Sequence, residues 1–418
     1  MALSRPAAAR MRWLTNLRLA GDDPAYGEPE GHRQVGRWRV GVDSDGLITR
    51  VRPTPAGSRA AGEDWGGDWL SPGGVDLQFN GGLGLAFPEL SLDDLPRLQA
   101  LLELLWRDGV EAICPTLVTC APEALRQALA VLAEARGRHR PGRCRLLGAH
   151  LEGPFLAPER RGAHPAQHLQ APSRAALNAL IDGFCGGAEA DVALVTLAPE
   201  LEGAAEVIED LRAAGVVVSL GHSGASEEQA RRAFGRGVGM LTHSLNAMAG
   251  LHHRAPGPVG AALLQGEVAL GLIADGVHVA PTMAVLLQRL APRQLVIVSD
   301  ALAPYGLADG THRWDERLLL VKDGSCRLED GTLAGVSLPL LEGVRRLASW
   351  SGLVAASIVA ATLAPRRLLG ERRPLEQLLL GRPLGDTLRW STADGSLHWR
   401  RPDTAVSGSQ GVASAPSP

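Results

Sequence analysis

Between residues 216 and 300 four apolar runs each stop on a polar group able to bind a metal or move a proton. Residues 216–220 lead into Gly221-His222, 238–241 into Thr242-His243, 268–273 into Ala274-Asp275-Gly276-Val277-His278, and 295–298 into Ser299-Asp300. An earlier run, 146–151, stops on Glu152 within His150-Leu151-Glu152-Gly153-Pro154. A carboxylate with two imidazoles is a recurrent catalytic zinc set that leaves one position open for water. Glu152, His222 and His243 are therefore the candidate metal ligands. Water activated in this way still needs a base to take its proton and an acid for the leaving group. Asp300, directly after the last run, is the candidate for both tasks. His278 and His164 are candidates for polarising a carbonyl or holding a substrate hydroxyl. A lone histidine after a strand is ordinarily a hydrogen-bonded residue and a lone carboxylate a cap. That ordinary reading is kept for Asp275, whereas the convergence of the others on one face carries the chemical reading. Arg254 stands beside His252 and His253 and near Asn246-Ala247-Met248. It is either a solvated loop cation or the partner of an anion such as phosphate.

These residues need a scaffold that brings strand ends together. Short apolar runs separated by helix-length segments read as buried strands of a parallel sheet. Strands are expected at 75–79, 112–117, 146–151, 192–197, 216–220, 238–241, 268–273 and 295–298. Helices are expected over 92–106, with Ser91 as its cap, and over 122–135, 173–182, 203–214, 226–234 and 281–290. Eight such strands make an α/β chain of the TIM (β/α)8 barrel type, with chemistry on the carboxyl ends of its strands. A hairpin at 318–321 and 331–333 is expected on the mouth, followed by helices over 339–350 and 354–363. Residues 11–70 read as short strands with an Asp-Gly turn, the first part of a small β-sandwich. Strands at 387–391 and 396–399 return to complete it. The expected organisation is thus sandwich (11–70), barrel with metal-dependent hydrolase character (71–365), sandwich again (366–402) and a disordered Ser-, Gly-, Ala- and Pro-rich tail (403–418).

Composition removes several other classes. A chain of 418 residues with 45% hydrophobic residues can bury a large core. Its net charge of -3 offers nucleic acid or an anionic membrane no electrostatic attraction. Lys322 is the only lysine and lies in a turn-like Val321-Lys322-Asp323-Gly324, which argues against Schiff-base, pyridoxal phosphate or carbamylated-lysine chemistry. The five cysteines form no Cys-x-x-Cys pair, so neither a zinc ribbon nor a disulfide framework is expected, and a cytoplasmic setting is. The Ala- and Arg-rich start before Met11 lacks the apolar stretch of a signal peptide, and no run is long enough to span a bilayer.

Nine motifs in order carry a resemblance: 71–81 (SPGGVDLQFNG), 114–119 (CPTLVT), 150–155 (HLEGPF), 162–164 (GAH), 195–200 (VTLAPE), 221–223 (GHS), 242–248 (THSLNAM), 274–278 (ADGVH) and 298–301 (VSDA). From about Met11 to Arg401 the chain resembles the N-acetylglucosamine-6-phosphate deacetylases, a family of the amidohydrolase superfamily. The resemblance implies a TIM barrel with a β-sandwich built from both chain ends, a homodimer, and hydrolysis of the acetamide of an amino-sugar phosphate. By position it implies metal ligation by Glu152, His222 and His243, and acid/base work by Asp300. It implies substrate contacts from His164, Asn246, Ala247, Arg254 and His278, with Arg254 reaching the sugar phosphate across the dimer interface. Many amidohydrolases carry His-x-His at the first strand end, where Gln78-Phe79-Asn80 stands here. One divalent metal per subunit, zinc, is therefore expected, with Gln78 touching its water. The loops around Ser244-Leu245 and 335–339, and the segment 380–386, depart from the family pattern. Another amidohydrolase acting on a different acylated sugar phosphate or a cyclic amide, and a binding paralogue without turnover, remain open as alternatives.

Overall fold

The computed structural model describes residues 11–21, 36–55, 61–187 and 189–403. The start before Met11 and the tail expected to be disordered from residue 404 onward lie outside the described residues. Eight parallel strands follow one another around a barrel: β1 (Gly74–Phe79), β2 (Val110–Val118), β3 (Ala149–Glu152), β4 (Val192–Leu197), β5 (Val217–Leu220), β6 (Met240–Leu241), β7 (Ala269–Ile273) and β8 (Leu295–Val298). Each pairs with the next, and a parallel bridge between Phe79 and Ala301 joins the last to the first. Nearly every strand residue is buried, on both faces, because side chains fill the barrel inside and helices cover it outside. That burial is why the strands read as continuous apolar runs.

The helices are α1 (Leu95–Arg107), α2 (Pro122–Gly137), α3 (Arg174–Ile181), α4 (Ala204–Ala213), α5 (Glu227–Gly235), α6 (Gly257–Gln265), α7 (Pro281–Leu290) and α8 (Leu340–Ser351), followed by the expected helix Val354–Thr362 and two short ones, Ala364–Leu368 and Leu375–Leu379. They pack by apolar stripes at helical spacing, as Leu95, Leu98, Leu101, Leu102 and Leu105 do in α1. Ser226 starts α5 with a capping box, its Oγ accepting from Gln229 N while its own N–H donates to Gln229 Oε1. Ser91 bonds Asp94 as a cap should, but it heads a 3-10 turn, Leu92–Asp94, before α1 begins. The α6 helix was not expected. Its sequence, GPVGAALLQ, opens on glycine and proline and is apolar nearly all round, so it shows no amphipathic period.

Between β8 and α8 the expected hairpin is a four-stranded antiparallel sheet of Gly310–Trp314, Arg317–Lys322, Ser325–Leu328 and Leu333–Val336. It lies on the mouth of the barrel, joined to it by the bridge between Ala301 and Val336. A separate seven-stranded sheet combines both chain ends, in the order Ser396–Arg400, Thr387–Ala393, Trp69–Pro72, Arg12–Leu19, Arg37–Val42 and Ile48–Thr54, with Glu63–Asp64 also on Arg12–Leu19. At the amino end of β2, Glu111 ties this sheet to the barrel. Its carboxylate accepts from Arg382 Nη1 at 2.8 and 2.9 Å and from Gly73 N at 3.2 Å, and lies 2.7 Å from Arg366 Nη2.

Candidate metal centre

The carboxyl ends of the strands meet at a chamber of about 360 Å³ lined by Asn80, Glu152, His164, His222, His243, Asn246, Ala247, His278 and Asp300. Three of these sit at strand ends in the left-handed region: His222 (φ 48°), His243 (φ 30°) and Asp300 (φ 54°). Such backbone is uncommon for residues with a side chain and concentrates where a site dictates direction. Here it turns each side chain from the strand into the mouth. Gly221, just before His222, allows the close approach: a Cβ there would lie 2.7 Å from Thr242 Cβ and 2.8 Å from Thr196 Cγ2. Below the mouth a buried polar chain links β3 to β6, from His150 Nε2 to Thr196 Oγ1 (2.7 Å), on to Thr242 Oγ1 (2.7 Å) and to Ser219 Oγ (2.6 Å).

Glu152 Oε1, His222 Nε2 and His243 Nε2 form a nearly equilateral triangle with sides of 3.1, 3.1 and 3.0 Å. The proton inventory shows what the triangle needs. His222 Nδ1 lies 2.9 Å from the carbonyl of Arg160, which only accepts, so Nδ1 carries a proton. In the neutral ring His222 Nε2 is then a lone pair, and it faces a carboxylate oxygen and another imidazole nitrogen. That arrangement is satisfied by a proton on His243 Nε2, whose Nδ1 has no partner, or by a cation held by all three lone pairs. Three ligands about 2.1 Å from a tetrahedral ion stand ~3.4 Å apart, close to the observed spacing. The Arg160 carbonyl is also the kind of outer partner that fixes a metal-binding imidazole. A divalent cation therefore fits this donor set.

Electrostatics agree. Burial pushes the Glu152 carboxyl up, but the imidazoles of His222 and His243 outweigh it and hold the group well below the usual carboxylate range. Burial lowers His243, and Glu152 more than reverses this. His164 also offers a nitrogen within 4.8 Å of ligand atoms of Glu152 and His222. It differs from the triangle in its bonding. Its Nδ1 lies 2.9 Å from Thr119 Oγ1, whose own proton goes to the Glu152 carbonyl at 3.1 Å, and 3.4 Å from the Thr119 N. Burial and the neighbouring His222 drive His164 down to about 3, so it is neutral at pH 7.

Asp300 lies beside the triangle. Asn80 Nδ2 donates to its Oδ1 at 2.8 Å and leaves Oδ2 for proton transfer. Burial, then the charge of Glu152, pushes Asp300 up to about 6. His278 is aimed by Asp275: Nδ1 donates to Oδ2 at 2.6 Å, while Oδ1 accepts from the backbone N–H groups of Val277 and His278. Asp275, read from sequence as an ordinary loop carboxylate, is thus the positioner of His278, and the i,i+3 spacing was the available signal. Asn80 and Thr119 likewise gain roles that no local pattern announced. Gln78 is buried under the chamber and donates from Nε2 to Glu152 Oε1 at 3.0 Å. Arg254 is exposed on its loop and does not line the chamber of its own chain. Lys322 is exposed at the end of its strand and does not line the chamber.

No family model matches the chain. Its barrel and appended sheet have the fold of the amidohydrolases. The N-acetylglucosamine-6-phosphate deacetylase of Bos taurus is 37% identical over 356 residues, 82% of this chain and 84% of its own length. The N-acetylgalactosamine-6-phosphate deacetylase of Escherichia coli O157:H7 is 35% identical, covering 78% of this chain and 84% of its own. Among solved structures, the N-acetyl-D-glucosamine-6-phosphate deacetylase of Mycobacterium smegmatis, as a variant in complex with N-acetyl-D-glucosamine-6-phosphate, superposes with a TM-score of 0.75 at 26% identity, covering 93% of this chain and 96% of its own. The chain belongs to the N-acetylglucosamine-6-phosphate deacetylase family, and with it to the hydrolases.

Proposed function

We propose that the chain hydrolyses the acetamide of N-acetylglucosamine 6-phosphate to glucosamine 6-phosphate and acetate, using one divalent metal held by Glu152, His222 and His243. The observation that carries this reading is the triangle of one carboxylate oxygen and two Nε2 atoms, with the Asp300 carboxyl beside it. Two imidazoles and a carboxylate suit zinc best among the common ions, and when bound it supplies a Lewis acid and a more acidic water. Asp300 Oδ2 takes a proton from the attacking water. As the C–N bond breaks, it returns that proton to the departing nitrogen, so the amine leaves neutral and the acyl group leaves as acetic acid, which ionises to acetate in solution. His164 lies against the substrate carbonyl and orients it. His278, aimed by Asp275, holds a sugar hydroxyl, and Asn246 and Ala247 hold the phosphate end.

Arg254 is exposed and outside its own chamber, which supports a role in the site of a second copy within a homodimer. The five described cysteines are all free thiols, and no described helix is long and apolar enough to cross a membrane. These features support a cytoplasmic setting. The test is metal analysis of the purified chain together with acetate release from N-acetylglucosamine 6-phosphate, from its galactosamine epimer, and from unphosphorylated N-acetylglucosamine. Close to one metal per chain with preference for the first substrate is expected. Preference for the epimer would move the reading to the second relative's substrate, and metal-free turnover would overturn the site assignment. Light scattering gives the oligomeric state.

A further inference from the structure

The chamber has an apolar corner made by Val118, Ala163, Leu302 and Trp314. Val118 ends β2, and in a barrel of eight strands β2 stands opposite β6, whose following turn carries Asn246 and Ala247. A substrate with its phosphate end at Asn246 and Ala247, and its carbonyl between His164 and Asp300, points its acyl tail at that corner. Beyond the corner lies a second cavity of about 540 Å³, larger than the chamber itself. Val118 and Trp314 line both spaces, so these two side chains are the partition. The far side mixes small apolar residues, among them Ala86, Ala121, Ala124 and Ala166, with polar and charged ones such as Glu89 and Arg161. Nothing in the hydrolytic chemistry uses this space.

Trp314 is built to stay in place. It ends the first strand of the mouth sheet, is only 4% exposed, and packs with Ala163, Leu302 and Leu319. The guanidinium of Arg317 lies 4.5 Å over its ring, donates to the Ala163 carbonyl at 2.6 Å, and is itself gripped by Asp315. We propose that Trp314, with Val118, sets the acyl length this enzyme accepts: it stops the acyl chain at acetyl and seals off a cavity that would hold the tail of an N-butyryl or N-hexanoyl amino-sugar phosphate. The proposal rests on the deacetylase reading above.

The experiment compares kcat/KM for the N-acetyl, N-butyryl and N-hexanoyl forms of glucosamine 6-phosphate in the wild type, Trp314→Ala, Ala124→Phe and the double variant. The wild type should favour acetyl. Trp314→Ala should raise the butyryl-to-acetyl ratio roughly tenfold or more, since each newly buried methylene is worth about a factor of three to four. Ala124→Phe alone should leave acetyl turnover unchanged, and in the double variant it should erase the gain by filling the cavity. An unchanged ratio in Trp314→Ala with normal metal content, or a gain that survives Ala124→Phe, overturns the proposal. If Trp314→Ala loses metal or its circular dichroism signal, Trp314→Leu and Val118→Ala are read in the same way, and an unchanged ratio in both is equally fatal. Failure of the wild type to release acetate overturns the deacetylase reading instead, and the proposal falls with it.

Discussion

Two buried glutamates at opposite ends of the barrel are neutralised in different ways. Glu111, at the amino end of β2, is closed off by Arg382, Arg366 and the N–H of Gly73, and these partners hold its carboxyl down to about 2 against its burial. Glu152, at the carboxyl end of β3, faces two imidazoles, one of which has spent its proton on the Arg160 carbonyl. The first site is complete as the chain folds. The second turns three donor atoms toward one point, where a cation fits. The same residue type is structural at the bottom of the barrel and, in the reading proposed here, a ligand at the top because of what its neighbours leave unsatisfied.

The largest effects should separate these two sites. Glu152→Gln should lower bound metal below about one tenth per chain and turnover by roughly 10⁴-fold, because the Lewis acid is lost. Glu111→Gln should do the reverse, keeping metal and kcat while lowering unfolding stability by about 3 kcal/mol, since it strands the buried Arg366 and the half-buried Arg382. Metal analysis, steady-state kinetics and urea melts read all of these, and loss of metal in Glu111→Gln would erase the contrast. Asp300→Asn should keep its metal yet lower kcat by about 10³-fold, the middle of the range for a lost acid/base group. A variant that retains full turnover would remove Asp300 from the chemistry.

The two sites should also fail at different pH. Asp300 must be ionised to accept a proton, so kcat/KM should fall as pH drops through its pKa. Burial sets that pKa at about 6 without a neighbouring cation, and a bound dication pulls it toward the ordinary carboxylate range. The acid limb should therefore lie at or below pH 6 and be absent from the residual activity of Asp300→Asn. For Glu111 the folded value is depressed, from 4.5 to about 2. Its stabilising contribution is complete above pH 4.5 and is lost as pH falls toward 2. Near pH 5 the chain should be folded with impaired turnover, which pH-dependent melts and rates would show together. The smallest effect expected is that of Arg254→Ala: a rise in KM of about tenfold with kcat within twofold, as for one lost charged contact to substrate. If KM is unchanged, the arginine is only a solvated loop residue.

The barrel was legible because parallel strands covered on both faces are continuous apolar runs, and the groups that follow them were legible as a series. Less was legible where a local period is absent. β6 has only two ladder residues, Met240–Leu241, within a longer apolar run, and α6 has no polar face to give it a helical signature. The mouth sheet was half seen, and Gly310–Trp314, the strand that brings Trp314 to the chamber, was not expected. Asp275 was set aside because a carboxylate in a Gly-containing turn is usually only a cap. Its bond to His278 depends on how that turn closes, and only the coordinates show that.

The chemical inventory and its order belong to the sequence: one glutamate, two histidines and an aspartate, each ending a buried strand, with glutamine and asparagine in place of a second pair of histidines. Composition alone also disfavoured lysine chemistry. What tertiary structure decided is the protonation and direction of that inventory. His222 is fixed by a carbonyl 62 residues away, Glu152 meets His243 across 91 residues, and Asp300 is held by Asn80 across 220. The partition between chamber and second cavity likewise exists only where β2 meets the mouth sheet. A side chain's identity is local, but its proton, its lone pair and the space in front of it are set by neighbours that barrel closure brings together.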